Sequence, residues 1–143
     1  MLKLLVAVDG SENANRVVDY VIRTVGALKE LPELHVLNVQ RPLPYGHRVE
    51  SVIGHEQIRQ YHHEAGMAAL KSALQKLDAA KLRYQHHIGV GEEGDTIARY
   101  ASEKQCDEIV MGTRGMGSVS NLLLGSCATK VIHLAPVPVV LVK

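Results

Sequence analysis

Residues 107–126 read DEIVMGTRGMGSVSNLLLGS, a short apolar run followed by a long segment rich in glycine and serine. The run 107–112 is typical of a buried β-strand, and residues 126–134 beyond the segment form a short helix pattern that Pro136 stops. Connections between strands and helices in α/β proteins usually take about two to six residues, and this one takes about twice as many. We therefore expect residues 112–126 to do more than join two elements.

The rest of the chain alternates strand-like apolar runs with helix-like amphipathic runs. This alternation predicts a parallel sheet with helices on both of its faces. The third strand has mixed polarity, which favours a position at the edge of the sheet. The strands are predicted at residues 2–8, 34–40, 82–88, 107–112 and 137–142.

Polar and turn-forming residues mark where the predicted helices begin. Ser11 is a plausible N-cap for the first helix, and Asp95 for the third, which should run over residues 96–105. The second helix carries an apolar side from Ile58 to Leu77. Two prolines and a glycine open residues 41–54, which we expect to form a long surface loop.

Length and composition narrow the class of protein. A chain of 143 residues fits one domain, residues 1–143, and its net charge of +1 comes from acids and bases mixed along the whole length. Such a balance lacks the basic surface of proteins that bind nucleic acids or membranes. Phe and Trp are absent, so platforms for stacked bases are missing too. We expect neither a nucleic acid nor a membrane as partner.

The apolar N-terminus has two readings. Residues 1–9 resemble a signal peptide only superficially, because the run is short, meets Asp9, and has no small-residue cleavage site after it. A buried strand is the better interpretation, and we expect a cytoplasmic protein.

Cysteines and histidines give no pattern of a metal site. Cys106 and Cys127 form no CxxC pair, and we expect two reduced, partly buried thiols. The histidine pairs 62–63 and 86–87 are adjacent in sequence, so their side chains diverge on a helix or a strand. We assign no metal ligand to a protein side chain.

The glycine-rich segment suits the binding of an anion. Glycines let a backbone approach a ligand closely, and the N–H groups of such a loop and of the helix that follows can surround a phosphate. The segment is neither a Walker A loop nor a Rossmann fingerprint, because its ending and its glycine spacing differ from both. A flexible connector remains the alternative from composition alone.

The spacing of the glycines resembles a known motif. Gly112, two residues, Gly115, nine residues and then Gly125-Ser126 match the nucleotide-binding pattern of ATP-binding universal stress proteins, the UspA family. The similarity extends to the start of the chain, where a short strand ends in VDGS at residues 8–11, and to the ending APVPVVLV at residues 135–142.

The resemblance implies a fold and a ligand. The family has a three-layer, Rossmann-like α/β fold of the adenine nucleotide α-hydrolase type, with five parallel strands in the order 3-2-1-4-5. Its ligand is ATP, with ADP or AMP as alternatives, together with Mg²⁺ held mostly by the phosphates. By similarity, Asp9 and Gly10 lie near the ribose and base, the backbone of Val39 meets the adenine, and Met111 packs near the nucleoside. The phosphate and ribose contacts fall to Gly112, Gly115, Gly125 and Ser126, with Arg114, Gly117, Ser118 and Val119 as further candidates.

Each assignment has a structural alternative. Asp9 could only cap the first helix, Val39 could be a plain core residue, and Arg114 could be a solvated charge. Ser126 could serve as the N-cap of the short helix instead of contacting phosphate.

The function that the resemblance implies is that of a regulator. Family members commonly form homodimers through the last strand, here residues 137–142, and we expect a dimeric cytoplasmic regulator of the stress response whose state depends on bound nucleotide. The alternatives are a slow ATPase or self-phosphorylating enzyme, and a nucleotide-free interaction module. We assign no catalytic residue, and we expect the loop 41–54 to order over the nucleotide.

Overall fold

A computed structural model of the chain describes residues 1–44, 48, 51–52, 54–115 and 123–143. Its centre is a sheet of five strands in the order β3-β2-β1-β4-β5, and every neighbouring pair is parallel. The predicted fold class and strand order are confirmed. The strands are β1 (Lys3–Ala7), β2 (Glu33–Gln40), β3 (Gln85–Val90), β4 (Glu108–Gly112) and β5 (Val139–Val142).

In the described part of the chain, four longer helices cover the two faces of the sheet, and each face has its own apolar cluster. The helices are α1 (Glu12–Gly26), α2 (His55–Ala79), α3 (Glu93–Glu103) and α4 (Ser126–Leu134). Val17 of α1 and Leu70 of α2 pack with Val6 of β1, whereas Ile97 of α3 and Val131 of α4 form the other cluster. Successive side chains of a strand point to opposite faces, so β1 contributes to both clusters. The central strands are buried on both sides, which is why β1 is apolar almost throughout.

The helix starts test the predicted caps. Ser11 is the N-cap of α1, and its hydroxyl accepts a hydrogen bond from the Ala14 N–H at 3.3 Å, which confirms the prediction. The prediction for Asp95 is wrong, because α3 begins at Glu93 and the carboxylate of Glu92 accepts from the Asp95 N–H at 2.8 Å. The longer glutamate side chain reaches the amide three residues on, so the helix begins earlier than the position of Asp95 suggests.

The C-terminal half of the chain shows three smaller differences from the predictions. Ser126 is the first residue of α4 and Gly125 occupies the cap position, so the N-cap alternative for Ser126 is wrong. β5 begins at Val139, two residues later than predicted, and it lies at an edge of the sheet. β3 spans Gln85–Val90, three residues later at its start than the predicted 82–88. It forms the other edge of the sheet, as expected.

The predicted surface loop contains helical residues. Residues 48, 51 and 52 are helical, so the loop prediction is wrong there. The residues that break regular structure, Pro42, Pro44 and Gly46, all precede them, and no further breaker occurs before Gly54. Residues 45–47, 49–50 and 53 lie outside the described part of the chain. Across the described ranges, no helix combines the length and apolar character needed to cross a bilayer.

Candidate functional site

A cleft opens between β1 and β4, where the order in which the strands are added to the sheet reverses. β1 and β4 are neighbours, but β1 leads to α1 on one face and β4 leads to α4 on the other. Open α/β sheets bind their ligands at such a point, outside the carboxyl ends of the strands. The cleft has a volume of about 520 Å³, which suits a small molecule. Its walls are residues 7–9, 37–44, 111–115 and 125–128, with Asn13, Ala14, Tyr61, Glu93 and Ile97.

Most of the predicted site residues meet at this cleft. Those that line it are Asp9, Val39, Met111, Gly112, Arg114, Gly115, Gly125 and Ser126. Gly10 does not line the cleft, but lies beside Asp9 with a φ of +84°, and a Cβ there would come 3.2 Å from the Ala69 Cα. Gly117, Ser118 and Val119 are outside the described residues. The structure therefore brings together residues that are far apart in sequence.

Asp9 connects the end of β1 to the glycine-rich segment. One carboxylate oxygen, Oδ1, accepts hydrogen bonds from the Ser11 N–H at 3.0 Å and from the Ser11 hydroxyl at 2.6 Å. The other oxygen, Oδ2, lies 2.5 Å from the place where a Cβ on Gly115 would stand. A side chain at position 115 would collide with this carboxylate. Asp9 thus orders the turn before α1 and also faces the cleft.

Val39 lies beyond the end of the ladder that joins β1 to β2. The last pair of that ladder is Ala7 with Leu37, whereas Val39 pairs with Gly89 on the β3 side. Past Leu37, the Val8 N–H still donates to the Leu37 carbonyl at 2.9 Å. The backbone edge of Val39 that faces β1 is therefore next to the cleft, as a backbone contact to a base requires.

The buried side-chain amide of Asn38 bonds the backbone just after the end of β1. Asn38 Nδ2 donates to the Val8 carbonyl at 2.9 Å, and Asn38 Oδ1 accepts from Gln40 Nε2 at 2.7 Å. The sequence reasoning missed Asn38. The signal was available, because it is a polar residue within an otherwise apolar central strand, where an amide needs hydrogen-bond partners.

The two ends of the glycine-rich segment are joined to each other. The Gly125 N–H donates to the Thr113 carbonyl at 2.6 Å, and the Thr113 N–H donates to the Val142 carbonyl of β5 at 3.0 Å. The residue that follows β4, Thr113, and the residue that precedes α4, Gly125, are thus adjacent in space. The first turn of α4 follows directly, so its N–H groups and its positive dipole end lie at the wall of the cleft.

The α3 side of the cleft carries an acid, Glu93, and a thiol, Cys127, and the sequence reasoning assigned neither of them to the site. Glu93 pairs with Arg41, with 3.1 Å between its Oε1 and the arginine Nε. Burial raises the pKa of the Cys127 thiol to about 12, and the nearby Glu93 carboxylate acts in the same direction. Cys127 therefore lines the cleft as a neutral, protonated thiol. Both cysteines are free, as expected.

Metal ligation by protein side chains finds no support in the described ranges. Over residues 1–44, 54–115 and 123–143 and the few described between them, no three His, Cys, Asp or Glu side chains stand close enough together to hold an ion.

The chain is thus an open α/β protein with a cleft at the switch point of its sheet. Comparison with known proteins identifies the family. The model of the universal stress protein family matches residues 1–143, and the chain belongs to that family.

Individual relatives agree over nearly their full length. Universal stress protein YxiE of Bacillus subtilis is 29% identical, with 99% of this chain and 98% of that protein covered. The structure of a universal stress protein from Archaeoglobus fulgidus in complex with dAMP is 25% identical, with a TM-score of 0.64 and coverage of 100% and 98%. A universal stress protein in complex with cAMP is 22% identical, with a TM-score of 0.70 and coverage of 99% and 97%. The last of these is similar to the chain in fold.

Proposed function

We propose that this protein binds an adenine nucleotide, in the first place ATP, in the cleft at the carboxyl ends of β1, β2 and β4. The observation that carries the proposal is the closure of the glycine-rich segment on itself at the cleft wall, through Gly125 and Thr113. Asp9 lines the same cleft, and its carboxylate lies next to Gly115. An anion-binding backbone and an acceptor for hydroxyl groups therefore face one cavity, which is the pairing that a nucleotide needs.

The proposed contacts follow the course of the cleft. Asp9, with Gly10 beside it, serves the ribose and base, the backbone of Val39 reads the adenine, and Met111 packs against the nucleoside. The phosphates take N–H groups from Gly112, Gly115 and Ser126, and Ser126 adds its hydroxyl. Gly125, whose N–H is bonded to Thr113, contributes a backbone without a side chain, which a phosphate can approach closely. Ser126 is the first residue of a nine-residue helix, where the N–H groups lack partners within the helix. Arg114 and residues 117–119 belong to the same segment and are further phosphate candidates.

The ligands of two relatives support the class of nucleotide. One relative binds dAMP and another binds cAMP, and both of these ligands are adenine nucleotides. ADP and AMP remain alternatives to ATP. Mg²⁺ would bridge the phosphates, which provide most of the oxygen ligands that this cation takes.

We propose further that the nucleotide controls a cytoplasmic homodimer acting in the stress response. β5 is an apolar edge strand of four residues. An edge of this kind invites pairing with another strand, and a second copy of residues 137–142 would satisfy it. Bound nucleotide lies close to this edge, because Thr113 at the start of the segment donates to Val142. A change in the segment can thereby reach the dimer surface.

Calorimetry tests the ligand. Protein stripped of nucleotide is titrated with ATP and Mg²⁺, beside a Gly115→Val, Gly125→Val double variant. Gly26→Ala is the matched control, because it lies at the end of α1 with open space around it. Saturable binding by the wild type and the control, with none by the double variant of verified fold, supports the proposal. A stripped wild type that binds no adenine nucleotide refutes it and favours the interaction module, and release of phosphate from bound ATP would favour the slow ATPase.

A further inference from the structure

Asn13 is a buried polar residue in the first turn of α1, and it also lines the cleft. Its Nδ2 donates to the backbone carbonyl of Arg114 at 2.6 Å, and its Oδ1 accepts from the Arg16 guanidinium at 3.0 Å. The two partners decide the orientation of the amide, because a carbonyl only accepts and a guanidinium only donates. Asn13 therefore joins two parts of the chain that are 101 residues apart.

The bond to the Arg114 carbonyl fixes a whole peptide unit. A trans peptide is planar and carries its C=O and N–H on opposite sides. When Asn13 holds the carbonyl of Arg114, the N–H of Gly115 is directed away from Asn13. This peptide lies near the start of the glycine-rich segment. If it rotated, the N–H of Gly115 would point in another direction, and the segment would present different backbone groups to a ligand.

Glycine at position 112 makes the contact sterically feasible. A Cβ on Gly112 would overlap Asn13 Nδ2 and come 3.1 Å from the Arg114 carbonyl oxygen. The amide thus fills the space that a side chain at 112 would need. The first glycine of the motif and Asn13 form one packed unit under the segment.

We propose that Asn13 is a positioning residue for the phosphates of the bound nucleotide. It holds the peptide between Arg114 and Gly115 in the orientation in which the segment receives them, and so removes the cost of ordering that peptide on binding. This inference rests on the proposed nucleotide site. It predicts in addition that loss of Asn13 lowers the affinity for ligands that carry a phosphate and leaves the affinity for adenosine, which has no phosphate, unchanged.

Three variants separate positioning from packing. Asn13→Ala removes the donor, and Asn13→Asp keeps the volume and the pairing with Arg16 but turns an acceptor toward the Arg114 carbonyl. Asn15→Ala is the matched control, because Asn15 lies on the same helix and accepts a hydrogen bond from the Ser72 hydroxyl on α2, away from the glycine-rich segment. Thermal unfolding verifies the fold of each variant, and calorimetry measures the affinity for ATP, AMP and adenosine.

We expect Asn13→Ala to weaken ATP and AMP by about five- to tenfold, as the loss of one hydrogen bond predicts, with adenosine unchanged within about twofold. Asn13→Asp loses at least as much, and Asn15→Ala loses nothing. Equal losses for AMP and adenosine, or full affinity for AMP in both Asn13 variants, overturn the inference while the nucleotide site stands. If Asn13→Ala does not fold, Asn13→Asp alone decides. A wild type that binds none of the three ligands refutes the proposed function itself, and this inference with it.

Discussion

Replacing Gly112 by alanine should destabilise the protein even when no nucleotide is present. Gly112 is the last residue of β4, and a Cβ there would overlap the side-chain amide of Asn13. Its other close contact is the Arg114 carbonyl oxygen at 3.1 Å, a backbone atom that has little freedom to move. The amide must therefore give way, and it then loses its bond to that carbonyl.

The expected cost follows from these two effects. A lost hydrogen bond that is not replaced costs about 1 kcal/mol, and one methyl group forced into a packed site costs about 1–3 kcal/mol. We expect Gly112→Ala to lower the free energy of unfolding by about 2–4 kcal/mol. This is a large share of the stability of a small domain, which is about 5–15 kcal/mol.

Urea unfolding of the nucleotide-free protein measures the effect, and a double-mutant cycle shows its origin. In an Asn13→Ala background the overlapping amide is gone, so Gly112→Ala should add about 1 kcal/mol or less to the cost. The reasoning is refuted if Gly112→Ala is as stable as the wild type. It is also refuted if the two substitutions add within about 0.5 kcal/mol, because the clash with Asn13 would then not be the cause.

Three further predictions concern other parts of the molecule. Gly66→Ala in α2 should destabilise by about 1 kcal/mol despite the better helix propensity of alanine, since its Cβ would stand 2.7 Å from Ile88 Cδ1; urea unfolding with and without Ile88→Ala checks this, and a gain in stability for the single variant would contradict it. Burial, and then the neighbouring charges, lower the pKa of His87 below its usual 6.5, so the unfolded chain binds this proton more tightly and stability falls as the pH drops below about 6.5. In unfolding experiments between about pH 5 and pH 8, His87→Gln should reduce this dependence of stability on pH, and the exposed control His63→Gln should leave it unchanged. If both variants show the same dependence on pH, His87 is not its source. The Cys127 thiol, with a pKa of about 12, should resist alkylation by iodoacetamide at about pH 8 in the folded protein and react after unfolding in urea; mass spectrometry that finds it rapidly modified in the folded state would disprove its protonated character.

The strands and helices could be predicted because their signals are local. The apolar run at the N-terminus becomes β1, whose Leu5 and Val6 are almost fully buried on opposite faces of the sheet. The mixed polarity of the third strand matched an edge position. The errors were local as well: the start of α3 depended on whether Glu92 or Asp95 capped it, and the reach of one side chain decided this.

The candidate site was predictable only in part. The glycine spacing indicated residues 112–126, and the resemblance placed Asp9 and Val39 beside them. Eight of the twelve predicted residues line the cleft, so the structure supports a shared location, while the nucleotide contacts themselves stay predictions. Residues 117–119 lie outside the described part of the chain.

The sequence by itself determined the alternation of strands and helices and the length of the glycine-rich segment, because both depend on the order of side chains along the chain. Only the tertiary structure decided what Asn13 and Asn38 do. Each amide satisfies a carbonyl of a distant segment, at separations of 101 and 30 residues. Hydropathy patterns carry no information about such partners, since a polar residue in an apolar stretch shows only that a partner must exist. The folded sheet, which brings β1, β4 and α1 together at one end, determines which partner it is.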